Sequence, residues 1–107
     1  RIEGVFGLGE PMHHDVEIPP DLAPLVTQGE EPWTRFFVSL GQTIESVESV
    51  GFDILEADYA ADANSWWLEY AEYDPGCRRN PDGEPKIIRT DRGRWLSFGY
   101  IIAKKCL

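Results

Sequence analysis

The longest regular pattern of apolar positions lies in residues 33–50 and predicts one amphipathic helix. Apolar side chains recur there at steps of three and four residues: Phe36, Leu40, Ile44, Val47 and Val50. This spacing lays a single apolar stripe along a helix. Thr34 is placed to cap the first turn, and Gly51 is the left-handed residue expected where the helix stops.

A change in the apolar period after Gly51 predicts a strand at Phe52–Tyr59. Short, strand-like patterning replaces the helical spacing, and Asp53, Glu56 and Asp58 interrupt the apolar positions. Acidic side chains are typical of an edge strand that is protected from further pairing. A helix, a glycine and a strand in so few residues predict an α/β unit packed on a sheet.

Three other segments have the composition of strands. Residues 2–8 predict a first strand, residues 86–90 an edge strand, and residues 94–104 a last strand. The last segment is nearly continuously apolar, which predicts that both of its faces are buried and that it lies in the centre of the sheet. The expected fold class is therefore α/β, or α+β for an isolated fragment, with two main helices and a mixed sheet of three to four strands.

Two long connections lie within this single predicted unit of residues 1–107. Residues 10–32 contain five prolines and predict a long loop insertion with one helical turn near its middle. Residues 61–85 predict an insertion with an aromatic helix at 65–73 and turns at 74–76 and 80–83.

The aromatic helix has more large side chains than one buried stripe accommodates. The candidates for substrate contact are therefore Trp66, Trp67, Tyr70 and Tyr73. Core packing is the competing interpretation. It is favoured for Trp67 and Tyr70, which leaves one of Trp66 and Tyr73 to line a pocket.

The adjacent residues His13 and His14, followed by Asp15, form the one cluster in residues 10–32 with acid–base potential. Neighbouring side chains of an extended chain point in different directions, which argues against a metal site and against metal-dependent hydrolysis. His13 and His14 are the candidate catalytic bases. Two exposed loop histidines are the competing interpretation.

Two further site classes are excluded by spacing. Gly7 and Gly9 lack the third glycine and the immediate helix of a dinucleotide-binding loop, so we interpret them as easing a bend. Cys77 and Cys106 lie far apart without a companion cysteine or histidine pattern, which indicates neither a zinc site nor a disulfide framework. Two free thiols in a reducing cytoplasm are the expectation.

The formal net charge of -9 argues against nucleic acid and against an anionic membrane as partners, because both would be repelled. No apolar run has the length of a membrane helix. The chain has no initiator methionine and enters a predicted strand almost at once. We therefore expect it to be a cleavage product, an expressed segment or the tail of a longer protein. The cytoplasmic location is expected from the two free thiols alone.

The order of these elements resembles the C-terminal half of a class I S-adenosylmethionine-dependent methyltransferase, whose fold is Rossmann-like. Arg1-Ile2-Glu3-Gly4-Val5-Phe6 is similar to the fifth strand of that family. The phrase Glu48-Ser49-Val50-Gly51-Phe52-Asp53-Ile54-Leu55-Glu56 is similar to its helix end and next strand. The resemblance implies that residues 95–104 form an antiparallel strand inserted between the fifth and sixth strands.

The same resemblance implies a function with limits. The glycine-rich loop and the ribose-binding acid of the family belong to its N-terminal half, so no cofactor residue carries over, and S-adenosylmethionine is expected only for the parent protein. The chain would form part of the pocket for a small-molecule methyl acceptor, with walls from Trp66, Trp67 and Tyr70 and a proton acceptor from His13 or His14. Alone it would be inactive, and an N-terminal half or a second copy would cover its first strand. The competing hypothesis is a small acidic α+β module that binds a partner or assembles with itself.

Overall fold

The computed structural model describes residues 4–105 as one three-stranded sheet with six helices. The elements, in chain order, are β1 (Val5–His13), α1 (Ala23–Val26), α2 (Trp33–Phe36), α3 (Leu40–Ser49), β2 (Phe52–Tyr59), α4 (Ala63–Tyr73), α5 (Pro75–Arg79), α6 (Glu84–Asp91) and β3 (Leu96–Lys105). Two predictions fall partly outside this range: the start of the first strand at Ile2, and Cys106.

The last strand lies in the centre of the sheet, as predicted. The strand order is β1-β3-β2, and β3 is antiparallel to both neighbours. At the middle of β3, Ile101 pairs with Leu8 of β1 on one side and with Ala57 of β2 on the other. The α/β class and the antiparallel central strand are therefore confirmed. Both strand pairs are antiparallel, so the described sheet is antiparallel and not mixed as expected.

The expected burial of both faces of β3 is wrong for its second half. Ile101 and Ala103 are fully buried, whereas Ile102, which points to the opposite face, is 36% exposed. α3 covers the first face, where Val47 packs with Ile101 and Ala103. The other long helix, α4, contacts the start of β3 instead, where Trp67 donates to Ser97 and Trp66 packs on Phe98.

The single helix predicted at residues 33–50 is two helices. Phe37 has an extended backbone, with φ -95° and ψ 137°, and separates α2 from α3. Ser39, rather than Thr34, caps the longer helix: its hydroxyl accepts from the Gln42 amide at 3.2 Å, and the Gln42 side chain accepts from the Ser39 amide at 2.9 Å. This reciprocal capping box outweighs the continuous apolar spacing.

The predicted end of this helix is confirmed. Gly51 has φ 93°, a conformation that L side chains rarely adopt, and β2 follows at once. Phe52 then packs against the cluster that contains Val47.

The edge strand predicted at residues 86–90 is wrong, since this segment lies in α6. Pro85 occupies the first turn, where its missing amide proton costs nothing, and Arg92 ends the helix in the left-handed conformation at φ 53°. Ile87 and Ile88 have a preference for strands, but both are buried against Trp95 and Leu96 in the larger core cluster. Packing in this core cluster therefore outweighs the local preference of the two isoleucines for a strand.

The first strand is longer than predicted and includes residues 10–13 of the expected loop. Phe6 and Leu8 pack on the core side of β1, and Met12 continues that side with 1% exposure. Pro11 is tolerated because β1 lies at an edge of the three-stranded sheet. The expected helical turn is α1, whose Val26 is fully buried.

Candidate functional site

An aromatic pocket lies where α2, α4 and α6 meet the β1–β3 end of the sheet. Its volume is about 360 Å³, and it is lined by Pro11, Trp33, Phe37, Trp66, Trp67, Tyr70, Glu84 and Phe98. This size and this mostly aromatic lining are typical of a small-molecule site. Of the four aromatic residues singled out from the sequence, the structure places Trp66, Trp67 and Tyr70 in this pocket.

Trp67 is fixed in the inner wall of the aromatic pocket. Its indole Nε1 donates to the carbonyl oxygen of Ser97 at 3.0 Å, and its ring packs against the larger buried cluster. The ring centroids of Trp33 and Phe37 lie 5.8 and 6.0 Å away. Trp67 therefore has both of the roles considered from the sequence: it packs on the core and also lines the pocket.

Trp66 forms a more open wall with Phe98 of β3. The two ring centroids are 5.6 Å apart at an interplanar angle of 79°, and Trp66 is 48% exposed. An edge-to-face contact of this kind leaves one ring face available to a ligand.

Tyr70 and Glu84 supply the polar part of the aromatic pocket. The Tyr70 hydroxyl donates to Glu84 Oε1 at 2.6 Å, which links α4 to α6. This bond to a carboxylate, together with partial burial, raises the pKa of Tyr70 above its usual 10, so the phenol stays protonated in neutral solution. The core position expected for Tyr70 is wrong, because its side chain is 38% exposed.

Sequence reasoning missed Glu84. The sequence pattern predicts a turn before a strand at this point, whereas Glu84 occupies the first helical position of α6, after the N-cap Gly83. An acidic residue followed by proline is a common start of a helix, and that signal is present in the sequence.

Tyr73 lies outside the aromatic pocket. It is 62% exposed and contacts the guanidinium of Arg78, whose central carbon is 6.0 Å from the ring centroid. The structure thus separates Tyr73 from the three other aromatic candidates, which share a single cavity.

His13 and His14 do not line the aromatic pocket, and their rings pack on different residues. The His13 ring stacks on Trp95 at 4.9 Å, and its Nδ1 lies 2.7 Å from the carbonyl oxygen of His14. A carbonyl only accepts, so Nδ1 carries a proton and Nε2 holds the lone pair of the neutral ring. The His14 ring lies 4.5 Å from the Tyr59 ring, beside a second cavity of about 270 Å³.

The Tyr59 side chain connects the strand and helix ends that surround the two histidines. Its hydroxyl donates to the carbonyl oxygen of His13 at 2.8 Å and accepts from the amide of Leu40 at 3.0 Å. The end of β1, the start of α3 and the end of β2 are joined by this one side chain. Within residues 4–105, no group of three or more histidine, cysteine or acidic side chains is arranged to hold a metal ion.

Cys77 is buried in α5 with 3% exposure, and this burial raises the pKa of its thiol. Cys77 is not among the residues that line the aromatic pocket. No helix in the part of the chain that the structure describes has the length and apolar composition needed to cross a membrane.

The fold is shared with known structures, although no family model matches the sequence and the comparison with curated proteins gave no match. The chain is similar to YjhP from E. coli, with 18% identity and a TM-score of 0.65 over 100% of this chain and 52% of that one. It is also similar to two SAM-dependent methyltransferases, each solved in complex with S-adenosyl-L-homocysteine. The enzyme from Thiobacillus denitrificans has 18% identity and a TM-score of 0.56 over 95% of this chain and 46% of its own. The enzyme from Geobacter sulfurreducens has 21% identity and a TM-score of 0.58 over 98% and 47%. These likenesses show a common fold, and the chain spans about half the length of each structure.

Proposed function

We propose that this chain is the C-terminal segment of an S-adenosylmethionine-dependent methyltransferase, that it forms the methyl-acceptor pocket, and that it is inactive alone. The observation that carries this proposal is the central strand β3, antiparallel to the flanking strands β1 and β2, in a chain that matches about half of two methyltransferase structures. Fold likeness alone does not decide function, so the aromatic pocket is the second support.

The described residues do not fit the cofactor. The long helix α3 begins with Ser39 and Gln42 in a capping box, and the Leu40 amide donates to the Tyr59 hydroxyl, so three amides of its first turn already have side-chain partners. Gly7 and Gly9 lie inside β1 and do not open a helix. The proposal therefore places S-adenosylmethionine on an N-terminal half that precedes this chain, and it assigns no cofactor contact to residues 4–105.

The aromatic pocket would position the acceptor and exclude water. Methyl transfer requires an acceptor atom held in line with the methyl group, in a site from which bulk water is removed. Trp67 is fixed by its bond to Ser97, and Trp66 packs on Phe98, so both walls are held by the sheet. Glu84 offers a carboxylate to a donor on the acceptor.

The proposal gives the two histidines no contact with the acceptor in the aromatic pocket. Neither His13 nor His14 lines the aromatic pocket, and His14 lines the second cavity instead. Their catalytic role stays a prediction. Within the proposal they lie at the junction of β1, β2 and α3, where Tyr59 holds the strand ends together.

The partner implied by the sheet is the N-terminal half. Within the described residues β1 pairs with β3 on one side, and on its other side only His13 is bridged, to Ser39. An open edge of this length invites a further strand. A second copy of this chain is the competing occupant, and it would favour the self-assembling acidic module.

Calorimetric titration tests the proposal. S-adenosyl-L-homocysteine is titrated into the 107-residue chain and, separately, into the full-length product of the gene that encodes it. We expect micromolar binding by the full-length product and none by the 107-residue chain. Absence of binding by the full-length product would contradict the methyltransferase assignment, and binding by the short chain would contradict the absence of a cofactor site.

A further inference from the structure

The aromatic pocket combines ring faces with a single carboxylate, and this combination selects for one charge type. We propose that the aromatic pocket binds an organic cation, an amine with an apolar body, through its ring faces and Glu84. This inference rests on the proposed function only where it identifies the amine with the methyl acceptor.

The rings supply the first part of the recognition. Of the eight described lining residues, six are aromatic and none is basic. Trp66 is 48% exposed and Tyr70 is 38% exposed, so neither ring is fully covered by protein. A cation within about 6 Å of a ring face is attracted by the negative face of the ring, most strongly for tryptophan.

The ring orientations place faces on more than one side of the cavity. Trp67 and Tyr70 meet at 86°, and Trp66 meets Phe98 at 79°. The faces of these four rings therefore point in several directions. Since edge-to-face pairs do not cover both faces of each ring as a parallel stack would, and since Trp66 and Tyr70 are partly exposed, ring surface remains accessible to a ligand.

Glu84 supplies the second part. It is the one charged residue among the described residues of the lining, and the hydrogen bond from Tyr70 uses its Oε1. The bond holds the carboxylate at the cavity and leaves Oε2 for an ammonium group. A charge-assisted hydrogen bond there is stronger than a neutral one.

Other ligand classes fit less well. An anionic ligand would be repelled by Glu84 and by the net charge of -9. A neutral aromatic ligand would fill the apolar part, but it would remove water from the carboxylate without supplying a positive partner. An amine satisfies both parts of the lining.

The test compares two ligands of nearly the same shape, phenethylamine and 2-phenylethanol. Binding to the full-length gene product is followed by the fluorescence of the tryptophan residues in the pocket walls. We expect phenethylamine to bind about tenfold more tightly than the alcohol, since cation–π attraction and the carboxylate together account for such a factor. Equal affinities, or a preference for the alcohol, would overturn the inference.

Matched variants assign the preference to the aromatic pocket. Glu84→Gln keeps the size of the side chain, removes its charge and should abolish most of the preference for the amine. Glu69→Gln makes the same charge change elsewhere on the surface and should leave the preference intact. Trp66→Leu should weaken amine binding several-fold, whereas Tyr73→Leu, on the same helix but outside the pocket, should not. An equal effect of the two glutamine variants would overturn the inference, because it would indicate a general effect of surface charge.

Titration of S-adenosyl-L-homocysteine into the same sample separates the two proposals. If S-adenosyl-L-homocysteine binds but phenethylamine binds no more tightly than 2-phenylethanol, the proposed function stands and the cation inference fails. If the amine preference is present and the cofactor product does not bind, the pocket assignment stands and the methyltransferase assignment fails.

Discussion

The hydroxyl of Tyr70 and the carboxylate of Glu84 are joined by a hydrogen bond of 2.6 Å between α4 and α6. This bond raises the pKa of Tyr70 in the folded protein above its unfolded value of 10. A raised pKa means that the folded state holds the phenolic proton more tightly than the unfolded chain. The bond therefore contributes stability in full below pH 10, and this contribution is lost as the pH rises through the pKa of the folded state.

An alkaline titration checks this relationship. In Glu84→Gln we expect Tyr70 to ionise closer to pH 10, because the charged acceptor is gone. Ultraviolet absorbance of tyrosinate, recorded for the wild type and the variant, should therefore show one additional residue titrating near pH 10 in the variant. Glu45→Gln, an exposed position on α3, is the control and should titrate as the wild type does. Superimposable curves for the wild type and Glu84→Gln would contradict the hydrogen bond.

The buried carboxylate of Asp91 is predicted to be a main determinant of stability. It is 1% exposed and accepts from the amides of Gly93, Trp95 and Leu96 at 3.0, 2.7 and 3.1 Å. These bonds hold the turn from α6 into β3. Asp91→Asn keeps the shape but sets an amide NH₂ against backbone donors, so we expect a loss of about 2 kcal/mol in the free energy of unfolding.

Urea denaturation followed by tryptophan fluorescence measures this loss. Asp21→Asn is the matched control, because Asp21 makes an exposed ion pair with Arg94 at 2.9 Å. Such pairs contribute little, so the control should leave the urea midpoint nearly unchanged. An Asp91→Asn midpoint equal to that of the control would show that the three amides do not depend on the carboxylate.

Alanine substitution at two glycines in or next to α3 should change the stability of the protein in opposite directions. Gly51 has φ 93° and open space where a Cβ would stand, so Gly51→Ala meets only backbone strain, of about 1 kcal/mol. Gly41 lies within α3 without a positive φ, and a methyl group there makes ordinary contact with Ser39. Gly41→Ala should therefore stabilise the protein by about 0.5 kcal/mol.

Thermal unfolding of both variants measures the pair. The expected order of melting temperature, from highest to lowest, is Gly41→Ala, then wild type, then Gly51→Ala. The reverse order would contradict the left-handed helix end at Gly51.

Structural features that depend on one local cause could be predicted from the sequence. Gly51 ends its helix because few other residues adopt its φ, and β2 follows where the apolar period changes. The central position of β3 was also readable, since its apolar run exceeds what an edge strand exposes. The insertion of the last strand between two others was implied by the family resemblance, and the order β1-β3-β2 agrees with it.

Structural features for which two local preferences compete could not be predicted from the sequence. Both Thr34 and Ser39 can cap a helix, and only the bond from the His13 amide to the Val38 carbonyl at 3.0 Å shows why the chain is extended before Ser39. Ile87 and Ile88 favour a strand locally but are buried as part of α6. The pocket position of Glu84 depends on the packing of α6 against α4, which brings Glu84 beside Tyr70.

The open edge of β1 allows the most direct measurement of the central claim, that this sheet continues into a second half. Hydrogen exchange of the backbone amides of β1 is compared between the 107-residue chain and the full-length gene product. We predict that the amides on the edge facing away from β3 exchange rapidly in the short chain, at any concentration, and slowly in the full-length product. Slow exchange that develops in the short chain as its concentration rises would contradict the claim, because a second copy would then be the partner of β1.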